Sequence, residues 1–243
     1  MRRPERSDVL SLLRRLRSGP LGERLILAGS SGLYGVSEDI PALTEDIDVL
    51  VDADWVGAEE SFLLTEMARF GFKHQPGTST FVLAEGLSLD LVGYSRRDAV
   101  DRIGGGKTVP VMVFSDLSKI LSAPGSMIEL PTQGKALSPA ALAASKLLTV
   151  RLEKGSKDKL QALLLIEENA GDEGFRNDLH RLLKLFDPEQ VEDALSDAQM
   201  ACLAVSEDAT RADIQSRGYA DMSQAVDRGF SLLKQLLRRR GNE

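Results

Sequence analysis

Residues 25–52, LILAGSSGLYGVSEDIPALTEDIDVLVD, decide the fold of this chain. Leu25 to Ala28 is a short apolar run of the kind that forms a buried strand, and it ends in Gly29-Ser30. Glycine at 29 lets the backbone approach a bound group closely. Ser31 to Gly35 can open a short helix whose N–H groups and positive dipole end would face an anion such as a triphosphate. Fifteen residues, 31–45, then precede Asp46-Ile47-Asp48. Residues 47–51 read as a second strand, apolar at every step except Asp48. A period of two puts Asp46 and Asp48 on one face of that strand. Two like charges held together on a buried strand cost free energy unless a cation neutralises them. A divalent ion is the economical explanation.

The flanks complete a mixed pattern. Ser7 or Asp8 can cap a helix with the apolar stripe Val9, Leu12, Leu13 and Leu16, ended by Gly19-Pro20. Residues 58–70 carry helical spacing in Phe62, Leu63, Met67 and Phe70, stopped by Gly71. Three more strand candidates follow at 80–84, 87–92 and 108–114. The character changes at Ser138-Pro139, where a serine cap and a proline at the first helical position start a helix. From there the spacing predicts helices at 139–153, 157–169, 173–186, 188–206 and 221–239. The fold class is therefore α+β, a mixed sheet flanked by helices and then an all-helical region. The expected domains are 1–135 and 136–243, with the boundary in the Pro, Gly and Ser cluster of 131–138.

Composition narrows the chemistry. The 243 residues, 42% hydrophobic and 28% charged, are those of an ordinary globular protein. No apolar run approaches the roughly 20 residues needed to span a bilayer, so no membrane partner is expected. The first 19 residues carry charges throughout and lack the apolar centre of a signal peptide. One cysteine, Cys202, permits no internal disulfide and suits a reducing cytoplasm, the expected location. Two histidines and that cysteine exclude a zinc site of the usual kind, so carboxylates must hold any metal, which favours Mg²⁺ or Mn²⁺. Residues 1–24 and 228–243 are each +4, leaving −15 for the middle of a chain whose net charge is −7. An acidic middle argues against broad, non-specific nucleic-acid binding.

A third carboxylate is expected beside the first two. Asp90 lies in LSLDLVGY, where Leu87, Leu89 and Leu91 share one face and Ser88, Asp90 and Val92 the other. Asp98 and Asp101, in a polar loop nearby, are the alternatives. Three carboxylates on adjacent strands can hold two Mg²⁺ ions about 4 Å apart, suited to in-line nucleotidyl transfer. Gly104-Gly105-Gly106-Lys107-Thr108 imitates a phosphate-binding loop, but position 101 is Asp where glycine is required and a strand-like run follows. A flexible loop, able to cover the site as a lid, is the better assignment. His74 and His180 lack a partner at ligand spacing. Tyr34 could stack on a base, although packing is its default role.

At Gly29, Ser30, Asp46, Asp48 and Asp90 the chain resembles the nucleotidyltransferase superfamily, whose signature is a Gly-Ser turn, then Asp-x-Asp, then a later Asp. The segment LSPAALAASKLLTVRLEKGSKDKLQALLLIE, from residue 137, is similar to the AbiEii-like, abortive-infection toxin-type branch. The resemblance covers roughly residues 25–170. It implies a small mixed sheet with a helical domain behind it. Asp46, Asp48 and Asp90 would be catalytic and metal-binding, and Gly29, Ser30 and Ser31 would bind the nucleotide. Lys146 and Asp158 would face the active site, Lys146 gripping the β- and γ-phosphates. From the residues alone, Lys146 could equally be a helix-face lysine reaching water, and Asp158 a first-turn acid favoured by the helix dipole. The implied reaction transfers a nucleoside monophosphate from an NTP such as ATP to a tRNA 3′ end, a protein side chain or a small molecule. An antitoxin would be the implied protein partner. The alternative is a catalytically inactive module of the same fold that binds nucleotide or a partner.

Overall fold

The computed structural model describes residues 4–130, 134–148, 156–206, 219 and 221–238. It is α+β and divides into two compact units. The first holds residues 1–36 and 44–138, and the second 37–43 and 139–243.

The first unit is built on a mixed, open sheet of nine strands among the described residues. They are β1 (Ile26–Leu27), β2 (Ile47–Asp52), β3 (Lys73–His74), β4 (Thr80–Val82), β5 (Ser88–Tyr94), β6 (Arg102–Gly105), β7 (Pro110–Val113), β8 (Met127–Leu130) and β9 (Gly134–Leu137). The main path runs β3-β4-β5-β2-β1-β9-β8, and β7 joins β5 in parallel while pairing with β6 as a hairpin. The parallel pair β2–β5 is at the centre, flanked by antiparallel β1 and β4. Ile47, Val49 and Val51 of β2 and Leu89 and Leu91 of β5 point to the same core. That core is closed by Val9, Leu12, Leu13 and Leu16 of helix α1 (Arg6–Arg17), Val56 of α3 (Ala53–Ala58), and Leu63 and Met67 of α4 (Glu60–Arg69). Burying an aliphatic side chain of this size contributes about 1.5–3 kcal/mol each, which is what holds Asp48 and Asp90 in place on the opposite face.

Several elements differ from expectation for local reasons. Helix α1 begins at Arg6 with Glu5 as its cap, because Asp8 turns back to accept from the Glu5 N–H at 2.9 Å. The helix after the Gly-Ser turn, α2 (Leu33–Val36), is one turn long. Asp52 ends β2 and caps α3 through the N–H of Asp54, so a short helix stands where the sequence showed none. Helix α5 (Ser115–Ser122) likewise starts where Asp101 Oδ1 accepts from Ser115 N at 2.6 Å. Strands β8 and β9 carry the sheet through Leu137, and the units divide after Ser138.

The second unit is helical: α6 (Pro139–Leu148), α7 (Lys157–Glu168), α8 (Glu173–Leu183), α9 (Pro188–Ser206) and α10 (Ser223–Arg238). Residues 149–153 and 239, expected as helix, lie outside the described residues. Helices α6 and α7 are buried almost all round, α7 with Lys157, Lys159 and Gln161 among its buried residues, so they form the centre of this unit. The segment 37–43 is bound to them. Gln161, fully buried, donates to the Ala42 carbonyl at 2.7 Å, Tyr219 Oη donates to that of Pro41 at 2.7 Å, and Ser37 Oγ donates to Glu168 at 3.1 Å. Among the described residues no helix is long and apolar enough to cross a membrane.

Candidate active site

The Gly-Ser turn is locked to the Asp-x-Asp strand by Ser31. Its hydroxyl, fully buried, accepts from Asp48 N at 3.0 Å and lies 2.9 Å from the Ala28 carbonyl and 3.2 Å from that of Asp48. The side chain of Ser31 is thus a clasp between two chain segments. The N–H groups of Gly32, Leu33, Tyr34 and Gly35 are taken by turns. A phosphate would therefore have to be met before Gly32, and the single turn of α2 adds little dipole. Tyr34 packs on the core and its hydroxyl donates to the Pro4 carbonyl at 3.1 Å.

Gly29 is fixed by geometry. Its φ is +59°, and a Cβ there would lie 2.5 Å from the Asp48 carboxylate carbon and closer still to Oδ2. The Asp48 carboxylate, 4% exposed, is therefore pressed against the turn. Asp48 and Asp90 are register partners on the parallel strands β2 and β5, so both carboxylates leave the same face side by side. Asp46 stands at the mouth of β2 with the parity of Asp48, near enough to Asp90 for its charge to act on that carboxyl. Burial raises the Asp90 carboxyl above its ordinary range. A hydrogen bond from Thr80 opposes this, and the charges of Asp46 and then Asp48 add to it. Asp98 instead pairs with Arg102 at 3.4 Å, and Asp101 caps α5. The first unit thus brings Asp46, Asp48 and Asp90 together and leaves both alternatives elsewhere.

Two features fit a cation. One is Asp90 Oδ1, which is buried and accepts no hydrogen bond among the described residues. The other is the cradle at Gly29, which any side chain would fill. Among the described residues no three acidic, histidine or cysteine side chains are drawn together at metal-ligating geometry.

Lys146 and Asp158 belong to the helical unit and pair there. Lys146 Nζ, 3% exposed, donates to Asp158 Oδ1 at 2.7 Å. The glycine-rich stretch 104–108 is the β6–β7 hairpin and its turn. Glu60 accepts there from the N–H groups of Thr108 and Val109, both at 2.7 Å. A protein carboxylate occupies the amides that a phosphate-binding loop would turn to its ligand. His74 Nε2 hydrogen bonds with the Thr78 carbonyl at 2.9 Å.

Two residues at the site escaped sequence reasoning. Thr44 Oγ1 lies 3.0 Å from Asp46 Oδ1, and Thr80 stands opposite Asp90 in the antiparallel β4–β5 pair. Thr44 precedes Asp46 by two residues, a spacing at which threonine commonly bonds locally, and was legible in principle. Thr80 was not, since nothing local ties it to Asp90. No protein-family model and no curated protein matches the chain.

Proposed function

We propose that the chain is a Mg²⁺- or Mn²⁺-dependent nucleotidyltransferase, its sheet of the nucleotidyltransferase type, that moves a nucleoside monophosphate from an NTP to an acceptor. The observation that carries this reading is the juxtaposition of Asp48 and Asp90 across parallel strands with Asp46 beside them. Asp46, Asp48 and Asp90 would hold the divalent ion, which supplies charge neutralisation for the triphosphate and lowers the pKa of the attacking hydroxyl. The acceptor oxygen attacks the α-phosphorus, the bond to the bridging oxygen breaks and pyrophosphate leaves. Asp90 takes the acceptor proton. Gly29 and Ser30 shape the turn against which the phosphates lie, and Lys146 with Asp158 is carried from the resemblance as a further phosphate contact. A tRNA end is one acceptor class, and a toxin paired with an antitoxin is the biological setting that the resemblance suggests.

Purified protein incubated with labelled NTPs, Mg²⁺ and total RNA should transfer label, and Asp46→Ala and Asp48→Ala should abolish transfer. Undiminished transfer by both variants would sink the assignment. The second reading, a module of this fold that binds without turnover, draws on the burial of Asp90, which raises its carboxyl and so favours the neutral acid over a ligating anion. NTP binding with no transfer to RNA, protein or small-molecule acceptors would favour it.

A further inference from the structure

We propose that Thr44 and Thr80 are positioning residues of the carboxylate trio, each fixing how one aspartate presents its oxygens to a bound cation. This rests on the metal-dependent reading above. Thr44 is 3% exposed, and both of its hydrogen bonds among the described residues end on Asp46: the carbonyl at 2.8 Å and Oδ1 at 3.0 Å. A buried hydroxyl committed to one residue restricts the χ angles of that residue. With Oδ1 turned toward Thr44, Oδ2 is the oxygen presented outward.

Thr80 acts from strand β4. It is the register partner of Asp90 in the antiparallel β4–β5 pair, so the two side chains leave the sheet on one face as direct neighbours, within reach of each other. Asp90 Oδ1, buried and accepting no hydrogen bond among the described residues, is the acceptor that this arrangement keeps for a cation. Asp48 receives its order through the backbone, where Ser31 accepts from its N–H. Asp46 and Asp48 are thus each tied to one hydroxyl, and Asp90 has a third hydroxyl as its cross-strand neighbour. Ligating carboxylates are commonly held this way, and loss of such a partner lowers metal affinity about 10- to 100-fold.

The test compares Mn²⁺ binding, read by the loss of the free-ion electron paramagnetic resonance signal, in Thr44→Val, Thr44→Ser, Thr80→Val and Thr80→Ser, with urea midpoints for each. Valine keeps the shape and removes the hydroxyl. The valine variants should bind Mn²⁺ about 10- to 100-fold more weakly, and the serine variants should lie close to the parent. Parent-like binding by both valine variants, with binding lost in Asp46→Ala and Asp48→Ala, overturns the positioning role and leaves the metal site standing. Parent-like binding by the two alanine variants overturns the metal site itself. Serine variants as weak as valine ones overturn the hydroxyl's role in favour of packing. Should Thr44→Val fail to fold, Thr80→Val, on the partly exposed strand β4, carries the comparison.

Discussion

Replacing Gly29 by alanine tests the site through its backbone. At φ +59° an L-residue costs about 1–2 kcal/mol relative to glycine. The new Cβ would also stand 2.5 Å from the Asp48 carboxylate carbon, so that the carboxylate must move. The two terms separate in a double-mutant cycle. In Asp48→Gly the obstructing side chain is gone, including the Cβ that would stand 2.6 Å away, and Gly29→Ala should cost only the conformational 1–2 kcal/mol, a fall of roughly 2–8 °C in Tm for a chain of this size. In the parent background it should cost more, with a coupling of about 0.5–3 kcal/mol. Urea unfolding followed by circular dichroism measures all four proteins. Mn²⁺ titration of Gly29→Ala should show weakened binding because Asp48 is displaced. Equal costs in both backgrounds, together with parent-like Mn²⁺ affinity, would refute the packing of Asp48 on the turn.

Other expectations concern groups away from the trio. Asp158→Ala should destabilise by about 1.5–3 kcal/mol because it removes the carboxylate that Lys146 Nζ meets at 2.7 Å, whereas the double change Lys146→Met, Asp158→Leu should recover most of the loss in urea titrations. Glu60→Gln should speed amide exchange at Thr108 and Val109 without changing Mn²⁺ binding. The Val109 N–H bond, with those of its neighbours, holds the Glu60 carboxyl below its usual range. Protection at these two amides is therefore complete above the ordinary carboxylate range and is lost as pH falls through the lower, folded-state value. Burial pushes the Cys202 thiol up to about 12, so it should stay silent to a disulfide reagent at pH 8 and react fully in denaturant. Gln161→Leu should cost about 1–3 kcal/mol, since the Ala42 carbonyl loses its donor inside the helical unit.

What the sequence revealed follows the range of the interactions involved. Helices α7, α8, α9 and α10 were legible because caps and 3.6-residue spacing are local. The strands β1, β2 and β5 were legible because β1 and β2 are apolar runs, β2 broken at Asp48, and β5 alternates Leu89 and Leu91 with Ser88 and Asp90. The two-residue strand β3 and the pair β8–β9 carry too little periodicity to stand out. Their pairing depends on partners far along the chain: β9 joins β1 at Ile26↔Lys135. The same limit applies to the site. Asp48 lies in β2 and Asp46 two residues before it, just outside the strand, so their common face follows from spacing. Asp90 could be placed on a face but not beside Asp48 until the register of β2 and β5 was known. Ser31 read as a nucleotide contact because it follows Gly-Ser. That its hydroxyl is spent on Ala28 and Asp48 depends on the β1–β2 pairing.

The seven residues from Ser37 to Leu43 leave the sheet unit and join the helices, and the chain is back in the sheet unit at Thr44. The chain therefore crosses between the units three times, after Val36, Leu43 and Ser138. Cutting the chain after Ser138 would remove Gln161, Lys157 and Tyr219, which hold the carbonyls of Ala42, Leu43 and Pro41. The loop between the Gly-Ser turn and Asp46 would then end in loose chain. Leu43, the last residue before the return, already sits at φ +46°, a conformation that such support sustains. A fragment ending at Ser138 should therefore exchange its amides across 37–43 faster than the full chain does.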